Sequence, residues 1–93
     1  MRTIERSSAF KRDYKREAKG QHQHTLDESL SRVLLALAKD QQLEPRYQDH
    51  DLSGNVSGYR ECYVKPDLLL IYRKSPDELL RLARLGSHSE LFG

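Results

Sequence analysis

Residues 58–72, Gly58-Tyr59-Arg60-Glu61-Cys62-Tyr63-Val64-Lys65-Pro66-Asp67-Leu68-Leu69-Leu70-Ile71-Tyr72, decide how this chain folds. After Gly58 the side chains follow a period of two, so Tyr59 to Val64 predicts a strand with Arg60, Cys62 and Val64 on one face and Tyr59, Glu61 and Tyr63 on the other. Lys65-Pro66-Asp67 is a turn. Leu68 to Tyr72 is a near-continuous apolar run, which predicts a strand buried on both faces. Ser75-Pro76-Asp77 makes the next turn, and Leu79 to Leu85 a third strand. Three consecutive strands joined by tight turns predict an antiparallel meander. Cys62 and Val64 read as core, and Tyr59 and Tyr63 as facing the open side. Arg84 falls on the parity of Leu80 and Leu82, with Arg81 and Ala83 opposite. Alternation alone therefore leaves open which arginine faces out.

Upstream, the period is helical. Ser7 offers an N-cap, and Phe10, Tyr14 and Ala18 recur at four-residue spacing in an otherwise basic helix that Gly20 can stop. Leu26, Leu30, Val33, Leu34 and Leu37 mark a second helix, which Thr25 or Asp27 can cap. Thr3-Ile4-Glu5 is a short strand candidate. The predicted order is β-α-α-β-β-β with a short terminal helical turn. This is an α+β fold with both helices on one face of a small antiparallel sheet and the other face left open. Residues 41–57 lose periodicity and read as an irregular connection, long enough to be functional.

Composition narrows the classes. The 93 residues are 37% hydrophobic and 32% charged, which predicts one domain over 1–93 with a single small core. A single cysteine, Cys62, leaves no internal disulfide, and a reducing cytoplasm is the expected compartment. The first twenty residues lack a signal-peptide core, and no apolar run approaches the roughly 20 residues that span a membrane. Neither a membrane nor a cofactor is expected. Four histidines without carboxylate or cysteine partners at ligand spacing argue against a metal site, and no nucleophile elbow supports serine hydrolysis. Charge is uneven: residues 1–24 hold seven Lys and Arg against three acids. That suits a polyanion or an acidic protein partner equally.

The last ten residues, Arg84-Leu85-Gly86-Ser87-His88-Ser89-Glu90-Leu91-Phe92-Gly93, carry a further pattern. Gly86 is read as breaking the strand. Ser87 and Glu90 form an S-x-x-E capping box that makes His88 the first residue of a helical turn. An arginine, a histidine and a helix start suit a phosphate. By themselves they fit an ordinary capped turn just as well. His50, in a polar loop, is equally neutral alone, and His22 and His24 read as surface residues.

Together the pieces are specific. Tyr47-Gln48-Asp49-His50-Asp51-Leu52-Ser53-Gly54, Gly58-Tyr59-Arg60, Val64 to Tyr72 and Arg84 to Phe92, in this order and in a chain of this length, resemble the YafQ branch of the RelE/ParE toxin superfamily. The N-terminal half agrees in length, in its two-helix layout and in the Phe10 and Tyr14 pattern. The resemblance implies a RelE-like microbial RNase fold. It implies the toxin of a type II toxin–antitoxin pair, an endoribonuclease that enters the A site of the 70S ribosome and cuts mRNA. It implies neutralisation by a cognate antitoxin, and contact with operator DNA only through that antitoxin in an autorepressing complex.

The resemblance also carries catalytic positions onto His50, Asp67, Arg84 and His88, and a substrate-binding one onto Phe92. Two positions depart from the family pattern. Its strand histidine is Tyr63 here, and its tryptophan after the aspartate is Leu68. A tyrosine ordinarily loses its proton near pH 10, against about 6.5 for histidine, so Tyr63 is expected to orient substrate rather than act as a base. In the implied mechanism His88 is the general acid, Arg84 stabilises the transition-state charge, His50 or Asp67 is the base, and no metal takes part. Phe92 stacks on a base, and Lys11 and Lys15 among the basic residues of the first helix hold RNA or the antitoxin. A catalytically weak member that binds rRNA or antitoxin without cutting is the alternative. A gyrase poison, as in the ParE branch, is disfavoured by His50, Asp67 and His88.

Overall fold

The central apolar run sets the architecture. In the computed structural model, which describes residues 1–54 and 58–93, Leu68, Leu69 and Leu70 are fully buried and Ile71 and Tyr72 nearly so. They begin strand β4 (Leu68–Lys74), which lies in the middle of a five-stranded sheet ordered β1-β5-β4-β3-β2. The other strands are β1 (Thr3–Arg6), β2 (His50–Asp51), β3 (Arg60–Lys65) and β5 (Leu79–Gly86). The expected meander is β3-β4-β5, antiparallel throughout, and β1 adds to its far edge parallel to β5.

Two helices cover one face. α1 (Ser8–Ala18) starts at Ser7, whose Oγ accepts the Phe10 N–H. α2 (Leu26–Ala38) starts at Thr25, whose hydroxyl makes no capping bond. Thr25 Oγ1 instead accepts from Lys65 Nζ. Phe10, Leu26, Leu30, Val33 and Leu37 pack on Cys62, Val64, Leu70, Tyr72 and Leu82 of the sheet. Burial pushes the Cys62 thiol up to about 12.

Four expectations need correction. The 41–57 connection is not wholly irregular. Pro45–Tyr47 forms a 3-10 turn, and His50–Asp51 forms β2, pairing with Arg60 and Glu61. Two paired residues are too few to show a period in sequence. Residues 55–57 of that expectation lie outside the described residues. Gly86 ends β5 rather than interrupting it, pairing with Leu69. His22 is buried at 7% exposure rather than on the surface. Finally, the register between β4 and β5 shifts at Ile71/Tyr72, so Ile71 faces Arg84 while Tyr72 faces Leu82. This bulge inserts Ala83 and turns Arg84 to the face of Arg81. Leu82 and Leu85 both reach the core at a spacing of three, which a strict period of two does not allow.

Beyond β1 the edge of β5 is completed by α1 and its cap. The Ser7 N–H donates to Leu82 O, and Ser7 Oγ donates to Ala83 O. Asp13 Oδ2 accepts the Leu85 N–H at 3.0 Å, and Arg16 Nη2 donates to Leu85 O at 2.8 Å. Side chains thus occupy ladder positions that a strand would otherwise fill.

A surface ion-pair cluster ties the opposite end of the molecule. Asp40 accepts from Arg2 Nε at 2.7 Å and from Lys74 Nζ at 2.9 Å, and these cations hold its carboxyl down at about 2, below its ordinary 3.8. A lowered carboxyl stabilises the fold above its unfolded pKa and loses that contribution as pH falls through the folded one. The urea midpoint is therefore expected to drop between pH 4 and pH 2, and less so in Asp40→Asn. Equal slopes in the two proteins would show that the cluster is not coupled to folding.

Candidate active site

On the face opposite the helices Glu61, Ile71 and Leu69 are buried and Arg84 is partly exposed, and sheet register lines up the side chains. His50 pairs with Glu61, Glu61 with Ile71, and Ile71 with Arg84. One row therefore crosses four strands, about 14 Å from β2 to β5. In the next row Tyr63 faces Leu69, and Leu69 faces Gly86. Two of the expected residues, His50 and Arg84, thus stand at the ends of one line, with Glu61 between them.

His50 is half exposed. Its Nδ1 lies 2.5 Å from Gln48 O and its Nε2 lies 3.4 Å from Glu61 Oε1. A carbonyl can only accept, so Nδ1 carries the proton and Nε2 is the basic nitrogen. Gln48 can present that carbonyl because it ends the 3-10 turn in the left-handed region, at φ 49°. Glu61 is 5% exposed, a buried carboxylate whose ionisable neighbour is the His50 imidazole. Its placement beside His50 makes it a candidate site residue that sequence reasoning passed over. The alternation had put it on the open face with Tyr63, but β2, which brings His50 to it, was not legible.

Arg84 is engaged rather than free. Its Nε and Nη2 donate to the two oxygens of Asp13 at 2.7 and 3.2 Å, while Nη1 makes no hydrogen bond among the described residues. Asp13 is 3% exposed and also takes Arg16 Nη1 at 2.9 Å. Burial alone would raise its carboxyl, but the bonds from Arg84 and the Leu85 N–H outweigh this and hold it below the ordinary carboxylate range. Asp13 was also missed. Its signal was an acidic pair, Asp13 and Glu17, on the Phe10 side of a basic helix, where a solvated face would not put carboxylates.

The terminal turn is ordered as the capping box predicts. α3 (His88–Phe92) is capped by Ser87, whose side chain accepts the Glu90 N–H at 3.1 Å while the Ser87 N–H donates to Glu90 Oε1 at 2.8 Å. Glu90 Oε2 also meets Arg16 Nε at 3.0 Å, tying α3 to α1. Gly86 leaves room for the Arg16 guanidinium here. A Cβ on it would come within 2.7 Å of Arg16 Nη2, a guanidinium already held by Asp13, Glu17 and Leu85 O. The exposed His88 and Phe92 rings lie 5.1 Å apart at 43°. Ser87→Ala removes one cap bond and is expected to destabilise α3 locally by about 1 kcal/mol. Faster amide exchange at residues 88–92 with an unchanged global urea midpoint would check this. Unaltered exchange would show that the Arg16–Glu90 contact alone holds the turn.

Asp67 stands apart from the row. It sits in the β3–β4 turn, where Oδ2 accepts Gln21 Nε2 at 2.7 Å and Oδ1 lies 3.2 Å from Nε2 of the buried His22. It therefore braces the α1–α2 connection. Leu68, next to it, is fully buried in the core, so at this position the chain packs rather than stacks. Tyr63 is half-buried on β3. Lys11 and Lys15 are exposed on α1, and helical spacing puts them on the flank away from Arg16, the residue that contacts the β5 edge. No group of three or more His, Cys, Asp or Glu side chains is gathered for a metal among the described residues.

Behind the site, Arg60 donates to Asp49 at 3.1 and 3.3 Å and to Asp51 at 2.5 Å, and Tyr72 Oη donates to Asp49 at 2.5 Å. Asp49 raises Arg60, and burial followed by the Asp49 bond raises Tyr72. This network fixes the segment that carries His50.

The family profile described as the bacterial toxin of type II toxin–antitoxin system, YafQ, matches residues 2–93. The chain is 36% identical over 92 residues to the mRNA interferase toxin YafQ of Escherichia coli strain K12, spanning 97% of this chain and 99% of that protein. The crystal structure of a metal-bound toxin from Helicobacter pylori superposes with a TM-score of 0.83 at 44% identity, covering 99% of this chain and 100% of that one. A chain of the E. coli DinJ-YafQ toxin–antitoxin complex superposes with a TM-score of 0.81 at 38% identity, covering 99% of this chain and 98% of that one.

Proposed function

Because the chain belongs to the YafQ family of bacterial toxins of type II toxin–antitoxin systems, we propose that it is an mRNA endoribonuclease acting in the ribosomal A site. The observation that supports this most is the row His50–Glu61–Ile71–Arg84 on the face opposite the helices, with the ordered His88 and Phe92 just beyond β5. The ribose 2′-OH attacks the adjacent phosphorus and the bond to the 5′-oxygen breaks. The products are a 2′,3′-cyclic phosphate, which can open to a 3′-phosphate, and a 5′-OH.

Each residue then has a role that uses only side chains. His50 Nε2 takes the 2′-OH proton, and the Glu61 carboxylate 3.4 Å away stabilises the imidazolium that forms. The engagement of Asp67 with Gln21 and His22 favours His50 as the base. Arg84 offers Nη1 to the developing phosphorane charge, and Asp13, holding Nε and Nη2, is its positioning residue. His88 protonates the leaving 5′-oxygen, Phe92 stacks on a base, and Tyr63 donates a hydrogen bond to the ribose or phosphate. Lys11 and Lys15 would hold ribosomal RNA or the antitoxin. A cognate antitoxin would neutralise the protein, as the DinJ-YafQ complex suggests by similarity, and operator DNA would be met only through it. Such a toxin works in the cytoplasm, where ribosomes are.

The test is incubation of the purified protein with a defined mRNA, alone and programmed on 70S ribosomes, followed by 5′-end mapping. Cleavage within the A-site codon only when ribosomes are present is expected. Intact mRNA under both conditions would overturn the enzymatic role.

A further inference from the structure

β2 pairs only with Arg60 and Glu61, so the edge of β3 from Tyr63 to Lys65 is bordered by the 3-10 turn and α2 instead of a strand. A groove of about 490 Å³ opens there. Its wall includes three cations, Arg32, Arg46 and Lys65, two aromatic rings, Tyr47 and Tyr63, and, among the described residues, no acid. The Arg46 guanidinium lies over the Tyr47 ring, 4.8 Å from its centroid. Arg32 and Arg46 are about 60% exposed; their ion pairs are with the exposed Glu28 and Glu44, at 3.1 and 3.5 Å, and Arg46 Nη2 also donates to Tyr47 Oη at 2.9 Å. Such surface pairs are weak and readily exchanged for a phosphate.

We propose that this groove is a nucleotide subsite for single-stranded RNA, holding a residue of the mRNA next to the cleaved bond. Planar groups interleaved with cations are what single-stranded RNA uses: bases stack on rings and guanidinium planes, and phosphates take the charge. Tyr63 supplies continuity, since it lines the groove and stands two residues from Glu61 on the same face of β3. A strand whose scissile phosphate lies over the His50–Arg84 row therefore has a neighbouring nucleotide within reach of Arg46 and Lys65. An acidic protein segment would use the cations but not the flat groups. This subsite rests on the ribonuclease reading.

The experiment is fluorescence anisotropy with a labelled 2′-O-methyl hexaribonucleotide, which cannot be cut, for wild type, Arg46→Ala/Lys65→Ala and the control Lys39→Ala. The double variant is expected to bind about tenfold or more weakly at low salt. The slope of log affinity against log salt should fall by about 1.4 for two lost phosphate contacts. Lys39→Ala should match wild type. Unchanged affinity and slope in the double variant, or no binding by wild type, overturns the subsite. So does a variant that keeps RNA affinity but loses affinity for the cognate antitoxin, which would make the groove a protein-docking surface. Failure of wild type to cut ribosome-bound mRNA would instead count against the ribonuclease reading, which the uncleavable probe does not measure.

Discussion

His88→Ala is expected to lower the rate of mRNA cleavage by about 10²–10⁴-fold, the usual contribution of a positioned general acid. The protein should remain as stable as wild type. His88 is exposed at the first position of α3, where its ring lies 5.1 Å from that of the exposed Phe92. Surface substitutions of this kind stay within about ±0.5 kcal/mol. Cleavage rate and urea midpoint, measured on the same preparation, separate the two effects. Wild-type cleavage by the variant would remove the acid role from His88. Arg84→Ala should also lose activity, but it strips buried Asp13 of two hydrogen bonds, so folding must be checked before its kinetics are read.

The second large effect concerns the fold. Leu70 is fully buried in the central strand, between Cys62 of β3 and Leu85 of β5. Leu70→Ala leaves a cavity that strands hydrogen-bonded on both sides cannot easily close. The expected loss is about 2–5 kcal/mol, a large part of the roughly 5–15 kcal/mol that holds a small domain folded. The urea midpoint should fall with the slope unchanged. A loss below about 1 kcal/mol would mean that the helical layer collapses onto the gap.

The legible parts of the molecule were those that a period or a cap writes into adjacent residues. The run Leu68–Tyr72, the alternation around Cys62 and the heptad-like leucines of α2 gave the α+β layout, and Ser87 with Glu90 gave the ordered terminal turn. The illegible parts depend on partners distant in sequence. β2 is two residues long, and only its pairing with β3 makes His50 and Glu61 neighbours. The bulge opposite Ala83 decides the side on which Arg84 emerges, and it shows only in the register with β4. His22 looked exposed because its burial depends on the β3–β4 turn, more than forty residues away. Asp13 and Glu61 share one history. Each is a buried carboxylate whose neighbours come from another element, Arg84 and the Leu85 N–H for Asp13 and the His50 ring for Glu61, and single-chain patterning records the acid but not these neighbours.

If these side chains direct the ribose 2′-OH against its own phosphate, the chemistry of the new RNA ends shows it most directly. mRNA cut on the ribosome should yield upstream fragments ending in a 2′,3′-cyclic phosphate or 3′-phosphate. The downstream fragments should carry a 5′-OH, which a kinase can label without prior phosphatase treatment. Downstream fragments bearing a 5′-phosphate would require an attacking water instead of the 2′-OH, and would contradict the roles given to His50, Arg84 and His88.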